Sequence, residues 1–313
     1  MKKKIFLFLL GTVFASGMFY SCKKETPMPN AEIYRTIDKY TVTFDPHIAN
    51  ATTYSWNFGD GSSASTDQKP VHTYESFGDY SVSLTVKGAG GEFTTTKIIK
   101  IEATSLRDLL TGGVQAVNGK TWVMSRMYNV GKDGAGPVMN EMPIVRPSID
   151  NVLEMVGLGD EYDNEYTFYF DGTYKMSVKN GSALAGLIYG MATGTISGGY
   201  SEDVGLCQAA FEPSASTWEL HSDNLVVDAI TDPNTTDAPP VHGNITITGK
   251  NWVSLSSGAY FGILDFPTTA QFVIKEVSSE KMNVALFLCS YPYDPEYVFL
   301  PALLMHLTFE VKK

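Results

Sequence analysis

The chain has 313 residues, 43% apolar and 18% charged, with 34 acidic against 23 basic side chains and a formal net charge of −11. That length accommodates about two domains of ~150 residues. Its 17 Tyr, 17 Phe and 4 Trp exclude a disordered chain, and the acidic balance excludes nucleic acid, since no Lys/Arg cluster beyond the first four residues could replace phosphate counterions.

Lys2, Lys3 and Lys4 precede an apolar run from Ile5 to Phe14, then Ala15, Ser16 and Gly17 lead to Ser21 and Cys22. A basic end, a short apolar stretch and small residues before a cleavage point predict a secretory signal over residues 1–21. Ile5 to Tyr20 falls short of the ~20 residues that span a bilayer as a helix. The Ser21-Cys22 ending resembles a bacterial lipoprotein signal, with Phe19 in place of the usual Leu. The resemblance implies that Cys22 carries the lipid, whose acyl chains add ~0.8 kcal/mol of membrane affinity per buried CH₂. Lys23, Lys24, Glu25, Thr26, Pro27, Met28 and Pro29 read as an extended tether, residues 22–31. The charged patch after Cys22 resembles surface-export signals of some gut-dwelling Gram-negative bacteria, without their acidic pair. The expected address is the cell envelope, as an outer-membrane lipoprotein exposed at the surface.

Residues 32–103 alternate apolar and polar side chains in short runs. Tyr40, Val42 and Phe44 share one face, as do Tyr80, Val82, Leu84 and Val86, and Phe93 to Ile101 supplies a Thr-rich final strand. The stretch from Tyr54 through Trp56, Asn57, Phe58, Gly59, Asp60 and Gly61, followed by Pro70-Val71-His72-Thr73-Tyr74 and Gly78-Asp79-Tyr80, resembles a PKD domain, an immunoglobulin-like sandwich. Trp56 and Phe58 are predicted to enter the core, and Gly59 and Gly61 to flank Asp60 in a turn that needs positive φ. The resemblance implies an extracellular spacer.

Thr104 to Gly113 predicts a short helix with a Thr or Ser cap, stopped by glycine. Residues 104–313 form the second domain. At least nine runs read as strands: Thr121–Ser125, Tyr166–Phe170, Tyr174–Val178, Leu225–Ile230, Ile245–Thr248, Trp252–Leu255, Gln271–Val277, Met282–Cys289 and Leu303–Val311. Phe170-Asp171-Gly172-Thr173 predicts a hairpin turn. The segments 127–160, 179–214 and 231–243 exceed ordinary loops. The fold class is all-β: a small immunoglobulin-like sandwich followed by a larger sandwich or jelly roll, with a lipocalin-like barrel as the alternative. Gly119-Lys120-Thr121-Trp122 and the later Tyr166-to-Tyr174 stretch are similar both to glycan-utilisation surface lipoproteins and to lipocalin-like domains of secreted bacterial proteins.

Asp160, Glu161, Asp163 and Glu165 crowd one loop, and a retaining glycosidase needs two carboxyls ~5.5 Å apart. Acids on a single loop more often form a solvated edge, so no catalytic residue is assigned; a glycoside hydrolase or lyase is the enzymatic alternative. Neither the histidines at 47, 72, 221, 242 and 306 nor the cysteines show metal spacing, and no metal or cofactor is expected. His306 is expected to face out of the terminal strand, and Trp122 and Trp218 to lie in the core. Cys207 and Cys289 leave two readings, a disulfide closing about 80 residues or two separate buried thiols. Tyr291, Tyr293 and Tyr297 in a proline-stiffened loop, with Trp252 and Tyr260, are the candidate sugar-stacking residues. The sequence therefore predicts a lipid-anchored envelope protein whose C-terminal domain binds a polysaccharide or oligosaccharide without cleaving it. Other outer-membrane proteins are candidate partners, and an adhesive, protein-binding role is a further alternative.

Overall fold

The computed structural model describes residues 26–231, 241–290 and 295–313. Cys22, Tyr291 and Tyr293 lie outside the described residues.

The first domain is built of β1 (Asn30–Glu32), β2 (Arg35–Asp38), β3 (Thr41–Phe44), β4 (His47–Ala49), β5 (Thr53–Asn57), β6 (Val71–Thr73), β7 (Gly78–Gly88) and β8 (Gly91–Ile101). The orders β2-β3-β6 and β5-β7-β8 make two antiparallel sheets, and β1 pairs with β4 at the side. Alternation on β3, β5 and β7 sends Val42, Phe44, Trp56, Val82, Leu84 and Val86 inward, all fully buried. Each contributes about 1.5–3 kcal/mol of transfer free energy. The indole nitrogen of Trp56 donates to the Asp67 carbonyl at 2.9 Å, so its burial leaves no polar atom unpaired. Gly59 and Gly61 have φ of 80° and 81°, the turn conformation predicted for them. A side chain at Gly59 would also meet the Ser81 carbonyl at 2.6 Å. Asp60 accepts from Ser62 and, at 2.6 Å, pairs with the His72 ring, which stacks on Phe58 at 3.9 Å. Asp60 and His72 are therefore fold residues.

Helix α1 (Leu106–Thr111) bridges the domains. The Ser105 hydroxyl accepts from Asp108 N–H and Gly112, at φ 86°, ends the helix, as its sequence requires. Lys120 ties the junction. Its ammonium donates to the carbonyls of Leu109 and Ser279, both at 2.7 Å, and lies over the rings of Trp122 at 4.4 Å and Phe77 at 5.1 Å.

The second domain runs through β9 (Lys120–Met124), β10 (Gly134–Pro137), β11 (Arg146–Pro147), α2 (Val152–Met155), β12 (Glu165–Phe168), β13 (Thr173–Ser177), β14 (Ser182–Gly186), α3 (Leu187–Thr193), β15 (Ile196–Ser201) and β16 (Leu206–Ala210). It continues through β17 (Ser216–His221), β18 (Leu225–Thr231), β19 (Val241–Ile247), β20 (Asn251–Leu255), β21 (Gln271–Val277), β22 (Lys281–Leu288) and β23 (Leu303–Val311). The hairpin order β9-β12-β13-β17-β20-β21-β22-β23 is antiparallel throughout, and β23 returns to pair with β9 through Phe309↔Met124, Glu310↔Val123 and Val311↔Trp122. This closure makes the β-domain an eight-stranded up-and-down barrel, with opposed walls that share one core as the sheets of a sandwich do. Closure depends on the β9–β23 contact across nearly 190 residues, which strand periodicity does not carry.

The interior is aromatic. Trp122, Tyr166, Phe168, Tyr174, Phe272 and Phe309 are fully buried, and Trp218 nearly so. Phe261, on a segment that crosses the interior, lies 4.6 Å from Phe272 and 4.2 Å from Phe309, ring to ring. Gly262 makes this possible at φ 70°, since a Cβ there would strike the Phe309 ring at 2.7 Å. A second apolar layer covers the outer face of β21, β22 and β23: Val273, Ala285, Phe287 and Leu304 pack against Leu225, Val227 and Ala229 of β18 and Ile247 of β19. Being buried on both faces, β22 reads as a continuous apolar run. The predicted turn at Phe170–Thr173 joins β12 to β13, with Gly172 at φ 93°.

Two of the segments that exceed ordinary loops hold structure: 127–160 carries β10, β11 and α2. Residues 179–214 fold into the sheet β14-β16-β15 with α3, which joins the crossing segment through Leu264 N–H to Leu184 O at 2.8 Å and Gly186 N–H to Leu264 O at 2.9 Å. Strand β14, Ser-Ala-Leu-Ala-Gly, is buried at every position and so shows no alternation. Ser216–His221, outside the nine predicted runs, supplies a further ring strand, which carries Trp218. Cys207 and Cys289 are separate, buried free thiols, the second of the two readings.

Candidate functional site

The four acids at residues 160–165 do not form a carboxylate pair open to substrate. Glu161 is buried and accepts from the Tyr166 hydroxyl, from Asn164 Nδ2 at 2.7 Å and from Leu184 N–H at 3.2 Å. Desolvation pushes its carboxyl up to about 8, against which those three donors work. Asp163 is held below the usual carboxylate range by Lys179 and Arg126. Glu165 begins β12.

The stacking candidates are also dispersed. Tyr260 is a core residue, 3% exposed, with its ring edge-on to Tyr166 at 5.6 Å and to Phe211 at 5.0 Å. It offers no face to a ligand, because the crossing segment packs it into the barrel's core. Trp252 is half-buried, stacked on the His221 ring at 3.9 Å, with its indole nitrogen donating to Asp223 O at 3.1 Å. Tyr297 is half-buried with its ring 5.1 Å from that of His242, whose Nε2 is 2.7 Å from Asp228.

His306 points out of the barrel as predicted, yet it is fully buried: the Lys275 side chain reaches its ring, and β10 pairs along the edge of its strand with Gly134 opposite it. Burial, and then Lys275 with its ammonium 3.1 Å from Nδ1, depress the imidazole to about 4.

The concavity lies at the barrel's seam. Strands β9 and β23 pair only across three residue pairs; past Met124 the chain leaves the seam, and β10 takes the free edge of β23 over Leu303–His306. Phe309 and Phe261 fill the barrel beside the paired stretch. Beyond them Leu307, Met305 and Leu303 face a cavity of about 340 Å³. Its wall is aliphatic, with Met124, Leu206, Ile263, Leu288, Met305 and Leu307. Its rim is polar and comes from the insertions: Arg126, Tyr128, Arg146 and Ser148 from the β9–α2 segment, and Glu202 and Asp203 from the β15–β16 turn. Asp133 stands behind the rim, 5% exposed, and accepts from Thr308 Oγ1 at 2.7 Å, Asn129 N–H at 2.8 Å and Asn283 Nδ2 at 3.0 Å. These bonds fix the start of β10 to the barrel wall. Arg126 lies 4.6 Å over the Tyr162 ring and donates to Glu154 at 3.0 Å and Asp163 at 3.1 Å. Apolar depth under a polar rim is the form of a small-molecule site, and its size is that of small ligand pockets.

Trp252, Tyr260 and Tyr297, the stacking candidates among the described residues, do not line this cavity. One feature of the sequence points to it: the length of the segments 127–160 and 179–214, which supply the rim.

Residues 24–103 match the family model described as PKD domain. Among solved structures, the PKD1 domain of Vibrio anguillarum Epp is 30% identical, with 25% of this chain and 99% of that one covered and a TM-score of 0.24. The PKD1 domain of the Vibrio cholerae metalloprotease PrtV is 29% identical over 25% of this chain and all of that one, with a TM-score of 0.23. A carbohydrate-binding module of the β-sandwich superfamily, described for promiscuous specificity, is 11% identical, with 92% of this chain and 93% of that one covered and a TM-score of 0.24.

Proposed function

We propose that this chain, which carries a PKD domain over residues 24–103 followed by a closed antiparallel barrel, is a non-catalytic ligand-binding protein of the cell envelope. Cys22 carries the lipid anchor, the PKD domain acts as spacer, and the ligand enters the mouth of the barrel. The observation that carries this reading is the cavity of about 340 Å³ between Leu303–Leu307 and the inserted segments, apolar inside and polar at its rim. An eight-stranded barrel is wide enough to be filled by side chains or to hold one small ligand; here aromatic rings fill one part and leave the other open. The buried or ion-paired state of Glu161 and Asp163 supports binding rather than hydrolysis.

Saturable fluorescence of 1-anilinonaphthalene-8-sulfonate on the full chain, lost in Met305→Trp with the fold retained by circular dichroism, is the expected result. Equal probe binding by the variant places the ligand elsewhere.

A glycan on the outside of the barrel is the second reading, favoured by the Trp252–His221 stack. It predicts retardation in affinity-gel electrophoresis against a polysaccharide panel that disappears in Trp252→Ala. No retardation on any glycan removes it.

A further inference from the structure

Not every charge at the mouth is paired among the described residues. The Arg126 guanidinium is committed to Glu154 and Asp163, and the Asp133 carboxylate to its three donors. Arg146, beside the cavity on β11, and Glu202 and Asp203, in the turn after β15, are exposed, and none has an ion-pair partner among the described residues. One cationic and one anionic station thus stand on two separate rim segments above a wall of aliphatic carbons.

The surface beside the cavity is apolar as well. Met127 and Ile149 line the opening while 57% and 53% exposed, and Val130 and Val145, in the same stretch of chain, are exposed too. An oligosaccharide would bring hydroxyls along its whole length against Met, Leu and Ile, and each hydroxyl stripped of water without a partner costs about 1–3 kcal/mol. A single alkyl chain has no such cost and gains from every methylene buried. At about 30 Å³ for each group the size of a water molecule, the space takes on the order of ten carbons. A purely anionic head would gain Arg146 but face Glu202 and Asp203. A purely cationic head would have Arg146 beside it.

We infer, on the reading that the mouth is the binding site, that its ligand is a zwitterionic single-chain amphiphile. Its anionic group sits at Arg146, its cationic group at Glu202 and Asp203, and its alkyl tail lies along Leu307, Met305 and Ile263. The exposed apolar fringe is the route by which such a tail passes between a lipid surface and the cavity without crossing water.

The test is calorimetric titration of the full chain with four single-chain amphiphiles below their micellar concentrations: dodecylphosphocholine, dodecyltrimethylammonium, dodecyl sulfate and dodecyl maltoside. Dodecylphosphocholine is expected to bind tightest. Arg146→Gln weakens it about tenfold, the loss of one charge-assisted contact, and leaves dodecyltrimethylammonium no weaker. The double change Glu202→Gln with Asp203→Asn weakens it similarly and strengthens dodecyl sulfate. Met305→Trp, or Leu303→Trp if the first does not fold, abolishes all binding. Equal binding of the four heads, unmoved by the rim changes but still lost on cavity filling, overturns the head-group assignment and leaves the mouth as the site. Binding that survives cavity filling overturns the site itself. Absence of binding by all four overturns the amphiphile, and the naphthalene-sulfonate titration then tells whether the mouth still takes a ligand.

Discussion

Glu161 makes the barrel's stability fall as pH rises. Its carboxyl is fully buried, and desolvation raises it from the ordinary value of 4.5 to about 8. The folded state therefore holds a proton between those values that the unfolded chain has already released. Stability is highest, as far as this group matters, below pH 4.5; it declines through the window and levels off above about 8. At 1.36 kcal/mol per unit the full effect is on the order of 5 kcal/mol. Glu161→Gln tests it with little disturbance. The amide oxygen can accept from Leu184 N–H and Asn164 Nδ2, and the amide nitrogen can donate to the Tyr166 oxygen, so the network survives without a titrating member. Urea unfolding of both proteins from about pH 4 to about pH 9 gives the difference in stability, which isolates Glu161 from other groups such as Asp265, raised to about 7 by burial. The variant should match the parent near the acid end and exceed it by several kcal/mol near the alkaline end. A difference independent of pH refutes the assignment of a buried, protonated carboxyl.

Phe261→Ala should cost about 3–5 kcal/mol and remove the cooperative barrel transition in calorimetry, because it empties the contact between Phe272 and Phe309. Gly59→Ala should destabilise by more than about 1 kcal/mol, visible as a lower melting temperature of the first domain, since the new Cβ meets Ser81 O and φ stays at 80°. Lys120→Met should cost roughly 2–3 kcal/mol by leaving the carbonyls of Leu109 and Ser279 without their donor; chemical denaturation reads this directly. Cys22→Ala should move the protein from the membrane fraction to the soluble fraction on sedimentation, and continued membrane association would contradict lipidation.

Local chemistry makes the first domain readable. Trp56, Phe58 and the two glycines around Asp60 each have one steric solution, and the alternation on β7 reports a half-buried sheet. In the second domain most ring strands are visible for the same reason, with Gln271–Val277 and Leu303–Val311 matching to the residue. The parts that local patterns hide are either buried on both sides or dependent on distant contacts. Strand β14 has small residues and no polar face. Tyr260 looks like any exposed aromatic until Phe261 and Gly262 are seen threading the barrel. His306 reads as a solvent-facing residue because the strand that pairs beside it, Gly-Ala-Gly-Pro, has almost no hydrophobic signal and nothing local marks the approach of Lys275. The mouth itself is where the β9–β23 pairing stops after three residue pairs, and no local pattern marks that point.

Methionine methyl groups report on the mouth without an added label group. Met124, Met127 and Met305 line it, whereas Met176 and Met282 are packed in the barrel core. Methyl-labelled methionine NMR of the full chain, titrated with dodecylphosphocholine, should shift Met124, Met127 and Met305 saturably and leave Met176, Met282 and the Trp252 indole in place. Shifts confined to the Trp252 indole, or no shift at the mouth under any ligand that the protein binds, would contradict the barrel mouth as the binding site.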